Sequence, residues 1–307
     1  MKYLSLPGAL IFLIFSASCL VSDPKATSTQ LSIGRGDVVV SSLTNDSIAV
    51  FDADGTFKKI LYQIPTAADA IGAIAWLEDT SEILVAVDGT PDRIEAISAV
   101  TGATRTFYNN VTFFTGTLTS LVQLKTSTDV IATEGATIER FSARGIRESY
   151  GAIWPTSAHA NSQHLVGLST GNWLSCSSTA GLRISPDSVT ALAAVATATG
   201  PAGATASFGC GELSNGKIVV GWNGAAADHV YVYSATLTGG TSILSTAPAI
   251  LGDPRGIAVG ENDEIYVVDG TRNVVVELDA SGNHVREFGS SVLQAPRHVL
   301  VVPSFRP

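Results

Sequence analysis

Four residues that offer hard oxygen or amide donors recur at near-equal distances along the 307-residue chain: Asp88, Glu134, Asn223 and Asp269. Each closes a short apolar run. Ser42 and Ser178 close two more, and the six positions are spaced by 46, 46, 44, 45 and 46 residues. If the fold brings them to one face, three carboxylates and an amide could hold Ca²⁺ or another hard divalent cation, which takes carboxylate and carbonyl oxygens. Such a ring could equally hold a sugar or another polar small molecule. A structural use competes with both and is favoured: an acid at a strand end braces the next turn by accepting backbone N–H groups. Arg255 and Arg297 each follow a proline. They are candidate contacts for an anionic ligand, or partners of neighbouring acids, which is the favoured reading. Folding the chain about Asn262 sets Arg255 opposite Asp269 as a cross-strand pair. Trp222, beside Asn223, is the candidate aromatic contact.

The elements that would position these residues are short strands. Pro254-Arg255-Gly256-Ile257-Ala258-Val259 is followed by a turn at Asn262-Asp263 and by Glu264-Ile265-Tyr266-Val267-Val268-Asp269-Gly270. A third run, Asn273 to Asp279, and a fourth, His284 to Gly289, are joined by the turn Ser281-Gly282. This reads as four strands linked by tight turns. It resembles an NHL-type blade, whose pattern is Pro-x-Gly-Ile-Ala-Val, then an Ile-Tyr-Val-x-Asp strand, then an apolar strand ending Asp-x-x-Gly. Weaker copies of the second strand lie at Asp37–Ser42, Glu82–Gly89, Asp129–Gly135, Trp173–Ser178 and Lys217–Gly224. Late turns at Asp54-Gly55, Thr101-Gly102, Arg144-Gly145 and Gly239-Gly240 keep the same register, with glycine supplying the positive φ that tight hairpins need. The fourth copy lacks that glycine, so its outer strand is expected to dissolve into Ala-rich sequence between Ala191 and Ala206.

The first copy has no inner strand, and the chain ends on one without a blade, Pro296 to Val302. The sequence therefore predicts an all-β fold: a six-bladed β-propeller over residues 31–307, with blade 1 closed by N- and C-terminal strands.

Within that frame most remaining motifs lose their chemistry. Gly167-Leu168-Ser169-Thr170-Gly171 fits Gly-x-Ser-x-Gly, but a reactive elbow needs a helix after the Ser, and a strand follows here. Ser169 is expected in a hairpin turn, and no catalytic residue is assigned. Only His164 and His298 fall on inner strands, too few for a three-His zinc site. Trp76, Trp154 and Trp173 are expected in blade cores. Cys176 and Cys210 fall on neighbouring blades and are either a disulfide or two buried thiols.

Residues 1–18 carry Lys2, the apolar run Leu10 to Phe15, and small residues Ser16, Ala17 and Ser18 before Cys19. That is the pattern of a secretory signal. It resembles the lipobox of bacterial lipoproteins, although Ser16 departs from the usual Leu, and implies lipidation of Cys19. Residues 19–30 would be a linker. Leu20 resembles the outer-membrane-sorted members if the cell is Gram-negative. The formal net charge is −9, with no Lys/Arg cluster, which excludes nucleic acid as a partner class.

The expected function is that of a non-catalytic propeller lipoprotein of the cell envelope. It would be held at the membrane by its lipid, monomeric, and bind an envelope protein or other ligand. One alternative follows from likeness in architecture to the gluconolactonase group, whose channel-mouth divalent ion is held by acidic and Asn side chains. It is a metal-dependent hydrolase or lactonase using Asp88, Glu134, Asn223 and Asp269. The other alternative is a carbohydrate-binding adhesin.

Overall fold

The second strands are unbroken apolar runs because both of their faces are covered. All five residues of Val38–Ser42 are buried. Val39 packs with Ile83 and Val85 of the next sheet, while Val38 and Val40 pack with Val268 and Val275 of the sheet on the other side. Successive side chains leave a strand on opposite faces, so a strand sandwiched between two sheets must be apolar at every position.

The computed structural model describes residues 32–66, 69–109, 117–134, 137–153, 162–179, 181–186, 194–224, 229–244 and 251–303, with 149–153 and 229 described by backbone alone. These residues form six four-stranded antiparallel sheets. Blade 1 runs outward as Pro296–Val301, Val38–Ser42, Ser47–Phe51 and Phe57–Gln63. Blade 2 is Ala70–Leu77, Glu82–Asp88, Arg93–Ser98 and Thr104–Asn109. Blade 3 is Leu118–Gln123, Val130–Glu134, Thr137–Phe141 and Arg147–Ile153. Blade 4 is Ser162–Gly167, Trp173–Ser177, Gly181–Ser185 and Ala196–Thr199. Blade 5 is Ala204–Glu212, Ile218–Gly224, His229–Tyr233 and Thr241–Ser242. Blade 6 is Pro254–Val259, Ile265–Asp269, Val274–Leu278 and His284–Phe288. Among the described residues there is no α-helix, only a 3₁₀ turn at Glu78–Thr80, and no helix long and apolar enough to cross a membrane.

The core is divided among the blade interfaces. Apolar clusters join blades 1 and 2, 2 and 3, 3 and 4, 4 and 5, 5 and 6, and 6 and 1. The ring is thus closed by packing at every junction. Each fully buried Val, Ile or Leu contributes about 1.5–3 kcal/mol before chain entropy is set against it. The chain ends complete blade 1: Val38 lies opposite Val301, Val39 opposite Leu300 and Val40 opposite Val299. Gly36 N–H donates to the Val302 carbonyl at 2.9 Å, and Val302 N–H returns a bond to Asp37. Joining first and last strands in one sheet is what keeps the ring from opening.

Blade 4 differs from its sequence expectation. Its outer strand survives within the Ala-rich segment as Ala196–Thr199, pairing with Gly181–Ile184. The Ala-Thr alternation suffices because an outer strand covers its neighbour with one face and meets water with the other.

Candidate functional site

In every blade the ladder between inner and second strand slips by one residue at the same height. The shifts fall between Ile71 and Ala73, Leu118 and Ser120, Ser162 and His164, Ser207 and Gly209, and Pro254 and Ile257, and in blade 1 opposite Val40 and Ser42. A β-bulge leaves an extra residue outside the pairing and re-aims its side chain. Here the bulges bring Gly72, Thr119, Gln163, Phe208, Arg255 and Arg297 to one mouth of the channel. Tight packing between inner strands holds the bulges in place. A Cβ on Gly72 would sit 1.9 Å from the Leu118 carbonyl oxygen, and one on Gly256 2.6 Å from that of Arg297.

The mouth is polar and carries two arginines. Arg297 Nη2 donates to Gln163 Oε1 at 2.6 Å, which joins blades 1 and 4 across the ring. Arg255 Nε donates to Asp253 Oδ2 at 2.6 Å, and its guanidinium lies 5.0 Å above the Phe208 ring centroid. Asp253 also accepts from Asn223 Nδ2 at 2.7 Å. Burial pushes the Arg297 pKa down from its ordinary value, the neighbouring charge of Arg255 adds to this, and Asp88 opposes it.

Two histidines, His298 buried and His164 half-buried, lie next along the channel, their ring centroids 6.0 Å apart. His298 Nε2 donates to the Gly72 carbonyl at 2.8 Å, and His164 Nδ1 accepts the Cys210 N–H at 3.1 Å. Both bonds suit neutral imidazoles. Burial pushes His164 down to about 4, and His298 well below the usual value, with the Arg297 charge and then His164 contributing. Beyond them a cavity of about 280 Å³ is lined by all six inner strands, with Trp76, Gln123, Lys125 and Glu212 among its walls.

The second-strand ends do not form one cluster. Asp269 is fully buried; its Oδ2 accepts Gly252 N–H at 2.6 Å, and its Oδ1 accepts those of Thr271 and Arg272 at 3.1 and 3.0 Å. Asn223 is engaged with Asp253. Asp88 and Glu134 do approach each other through buried Asp92, whose pKa is raised by burial first and by both of their charges. Among the described residues no group of three or more His, Cys, Asp or Glu side chains has the geometry to hold a metal ion.

Three sequence expectations require correction. Arg255 does not face Asp269: the bulge moves Pro254 into that register, and Arg255 turns to Asp253 instead. Trp222 offers no surface to a ligand. It is 1 % exposed, packs edge-on to Tyr233, and belongs to the core between blades 4 and 5. The candidate ring of second-strand ends is also not a single set of donors: Asp269 braces the turn that follows it, the favoured reading, and Asn223 bonds Asp253 of the next blade.

The other residues are placed as follows. Cys176 and Cys210 are joined by a disulfide that ties blade 4 to blade 5, with Cα atoms 6.4 Å apart. Ser169 lies in a hairpin turn, where its N–H and Oγ both donate to Glu212 at 2.7 Å; Ser214 makes the same pair of bonds to Asp263 one blade on. Cys19 and Trp154 lie outside the described residues. Sequence reading missed Gln163, Phe208, Thr119, Asp92 and Asp253. A signal for the first three exists: stepping back from Arg297 by 42, 47, 45, 44 and 47 residues visits Arg255, Phe208, Gln163, Thr119 and Gly72.

With this geometry in view, comparison with solved structures places the fold among known propellers. A chain in the crystal structure of a nidogen/laminin complex superposes with a TM-score of 0.70 at 14% identity, covering 88% of this chain and 99% of that one. A protein of unknown function from Bacteroides caccae gives 0.63 at 16% identity, over 88% and 99%. A streptogramin B lyase gives 0.60 at 14% identity, over 87% and 88%. At these identities the likeness is one of fold. No protein-family model matches the sequence, and no curated protein is detectably similar to it.

Proposed function

We propose that the chain is a non-catalytic binding propeller of the bacterial cell envelope, tethered by a lipid on Cys19, whose channel mouth engages a partner protein. The observation that carries this reading is the bulge ring. Six blades each direct one residue to a common mouth, and the set includes two guanidiniums, an aromatic ring and an amide. A rigid platform with a polar, partly desolvated centre suits recognition. The propeller in the nidogen/laminin complex is a precedent for this fold in a protein assembly, by analogy of fold alone. The NHL-like blade pattern, the lipobox and the envelope address belong to the same proposal.

The competing reading is a metal-dependent hydrolase, with the streptogramin B lyase as an enzyme on this fold. It would need Asp88, Glu134, Asn223 and Asp269 to meet on one ion. Asp269 instead accepts three backbone N–H groups and Asn223 bonds Asp253, so we favour binding.

The test is capture from membranes with the full chain, using a photo-crosslinker placed first at exposed Thr271 beside the mouth and then at exposed Asn215 on the opposite hairpin face. A reproducible adduct from position 271 alone supports the reading. Adducts from neither position, or from 215 alone, refute it. Lipidation is tested separately by metabolic labelling with a fatty-acid analogue, which Cys19→Ser should abolish.

A further inference from the structure

The two arginines of the mouth are not equivalent. Arg255 is neutralised by Asp253 and seated on Phe208. Arg297 is half-buried and, among the described residues, has no carboxylate within ion-pair distance; its hydrogen-bond partner is the neutral oxygen of Gln163. That contact uses one of five guanidinium N–H groups. A desolvated cation without a counter-charge is costly, and its planar fork matches a carboxylate in two parallel bonds. The Gln163 bond anchors the side chain across the channel, so the fork is pre-oriented before a ligand arrives. Gly72, one blade on, adds no side chain to the ring.

The surroundings narrow the ligand. Asp88, Asp92 and Glu134 form an acidic group on blades 2 and 3, near enough for Asp88 to influence Arg297. The whole chain carries −9. A polyanion would be repelled by both, whereas one carboxylate on a neutral or basic surface would satisfy Arg297 and complement the acids around it.

We infer that the channel mouth is a site for a single carboxylate, in which Arg297, held by Gln163, receives one Asp or Glu side chain from a neutral or basic surface of the partner protein. This rests on the binding reading above and names the chemistry of its contact.

The full chain in detergent is titrated by calorimetry with two peptides, acetyl-Lys-Ala-Glu-Ala-Lys-amide and its Gln counterpart, while the arginine Nε–Hε resonances are followed by NMR. D-glucuronate and inorganic phosphate serve as the other anion sources. The Glu peptide is expected to saturate the site, to shift the Arg297 resonance, and to bind about tenfold or more tightly than the Gln peptide. Arg297→Gln should remove that preference and Arg297→Lys should restore part of it, with both variants keeping the wild-type urea midpoint. Equal binding of the two peptides, or a preference that survives Arg297→Gln, overturns the site. Tighter binding of glucuronate or phosphate overturns the protein side chain as its occupant. Variants that unfold are replaced by Gln163→Leu, which should weaken the preference by releasing Arg297. The two proposals fail separately. Crosslinks from position 271 without peptide discrimination leave the binding platform and remove the carboxylate site. Discrimination without crosslinks does the reverse.

Discussion

Replacing Asp269 by Ala separates a turn brace from a ligand group. The side chain is fully buried and accepts three backbone N–H groups, from Gly252, Thr271 and Arg272. A hydrogen bond to a charged group is worth about 1.5–3 kcal/mol, so three independent ones would give roughly 4.5–9 kcal/mol. The true loss is smaller. Gly252 and Thr271 are exposed, so their N–H groups regain water once the carboxylate is gone, and bonds sharing one acceptor are not additive. We expect Asp269→Ala to cost about 2–4 kcal/mol, which for a chain of this size lowers the melting temperature by roughly 3–7 °C. Asp269→Asn should recover about half, because its amide oxygen can serve Thr271 and Arg272 while its NH₂ meets the Gly252 donor. Equilibrium urea unfolding, followed by near- and far-UV circular dichroism, measures both. A loss below about 0.5 kcal/mol for the Ala variant, the range of ordinary surface substitutions, would refute the bracing argument and return Asp269 to the list of ligand candidates.

Three further outcomes are expected. Removing the disulfide as Cys176→Ala with Cys210→Ala should cost about 2–4 kcal/mol, given the 34-residue separation it closes, and a loss under about 1 kcal/mol would show that blades 4 and 5 hold without it. Gly72→Ala drives a methyl group into the Leu118 carbonyl and should destabilise by about 3 kcal/mol or more, or fail to fold; wild-type stability would disprove the close approach. His164, pushed down to about 4 from an unfolded value near 6.5, stays neutral in the fold, so the unfolded chain binds more protons between those values. Stability should therefore be full above about pH 6.5 and fall by roughly 3 kcal/mol toward pH 4 on account of this residue, with His298 adding in the same direction. His164→Gln, which can still accept the Cys210 N–H, should flatten the slope in urea titrations between pH 6.5 and 4, and an unchanged slope would contradict the burial argument.

Much of the architecture was legible because each blade repeats one local solution. A second strand covered on both faces must be apolar at each position, and this writes a 44–46-residue period that can be counted directly. The missing first inner strand and the orphan last one announced the closure that Val38–Val301 pairing completes. The candidate site was legible only in part. Arg255 and Arg297 stood out by type, yet the second-strand acids drew equal attention, and Trp222 looked available where it is enclosed. A strand end and a ligand surface have the same composition until the neighbouring blade is in place.

The sequence alone thus determined the number of blades, the order of their strands, the turn positions and the junction of the two ends, since all of these follow from contacts between residues near in the chain or from a repeated pattern of burial. Tertiary structure alone decided which residues share the mouth. Gln163 and Arg297 are 134 positions apart and meet across the ring, and the bulges that aim them arise where one inner strand presses on the next, as Gly256 does against Arg297. A one-residue slip leaves no mark in the apolar period, because it shifts pairing at a single point and the alternation resumes on either side. It does turn Arg255 from Asp269 to Asp253, and it brings Arg297 to the channel mouth without a carboxylate partner.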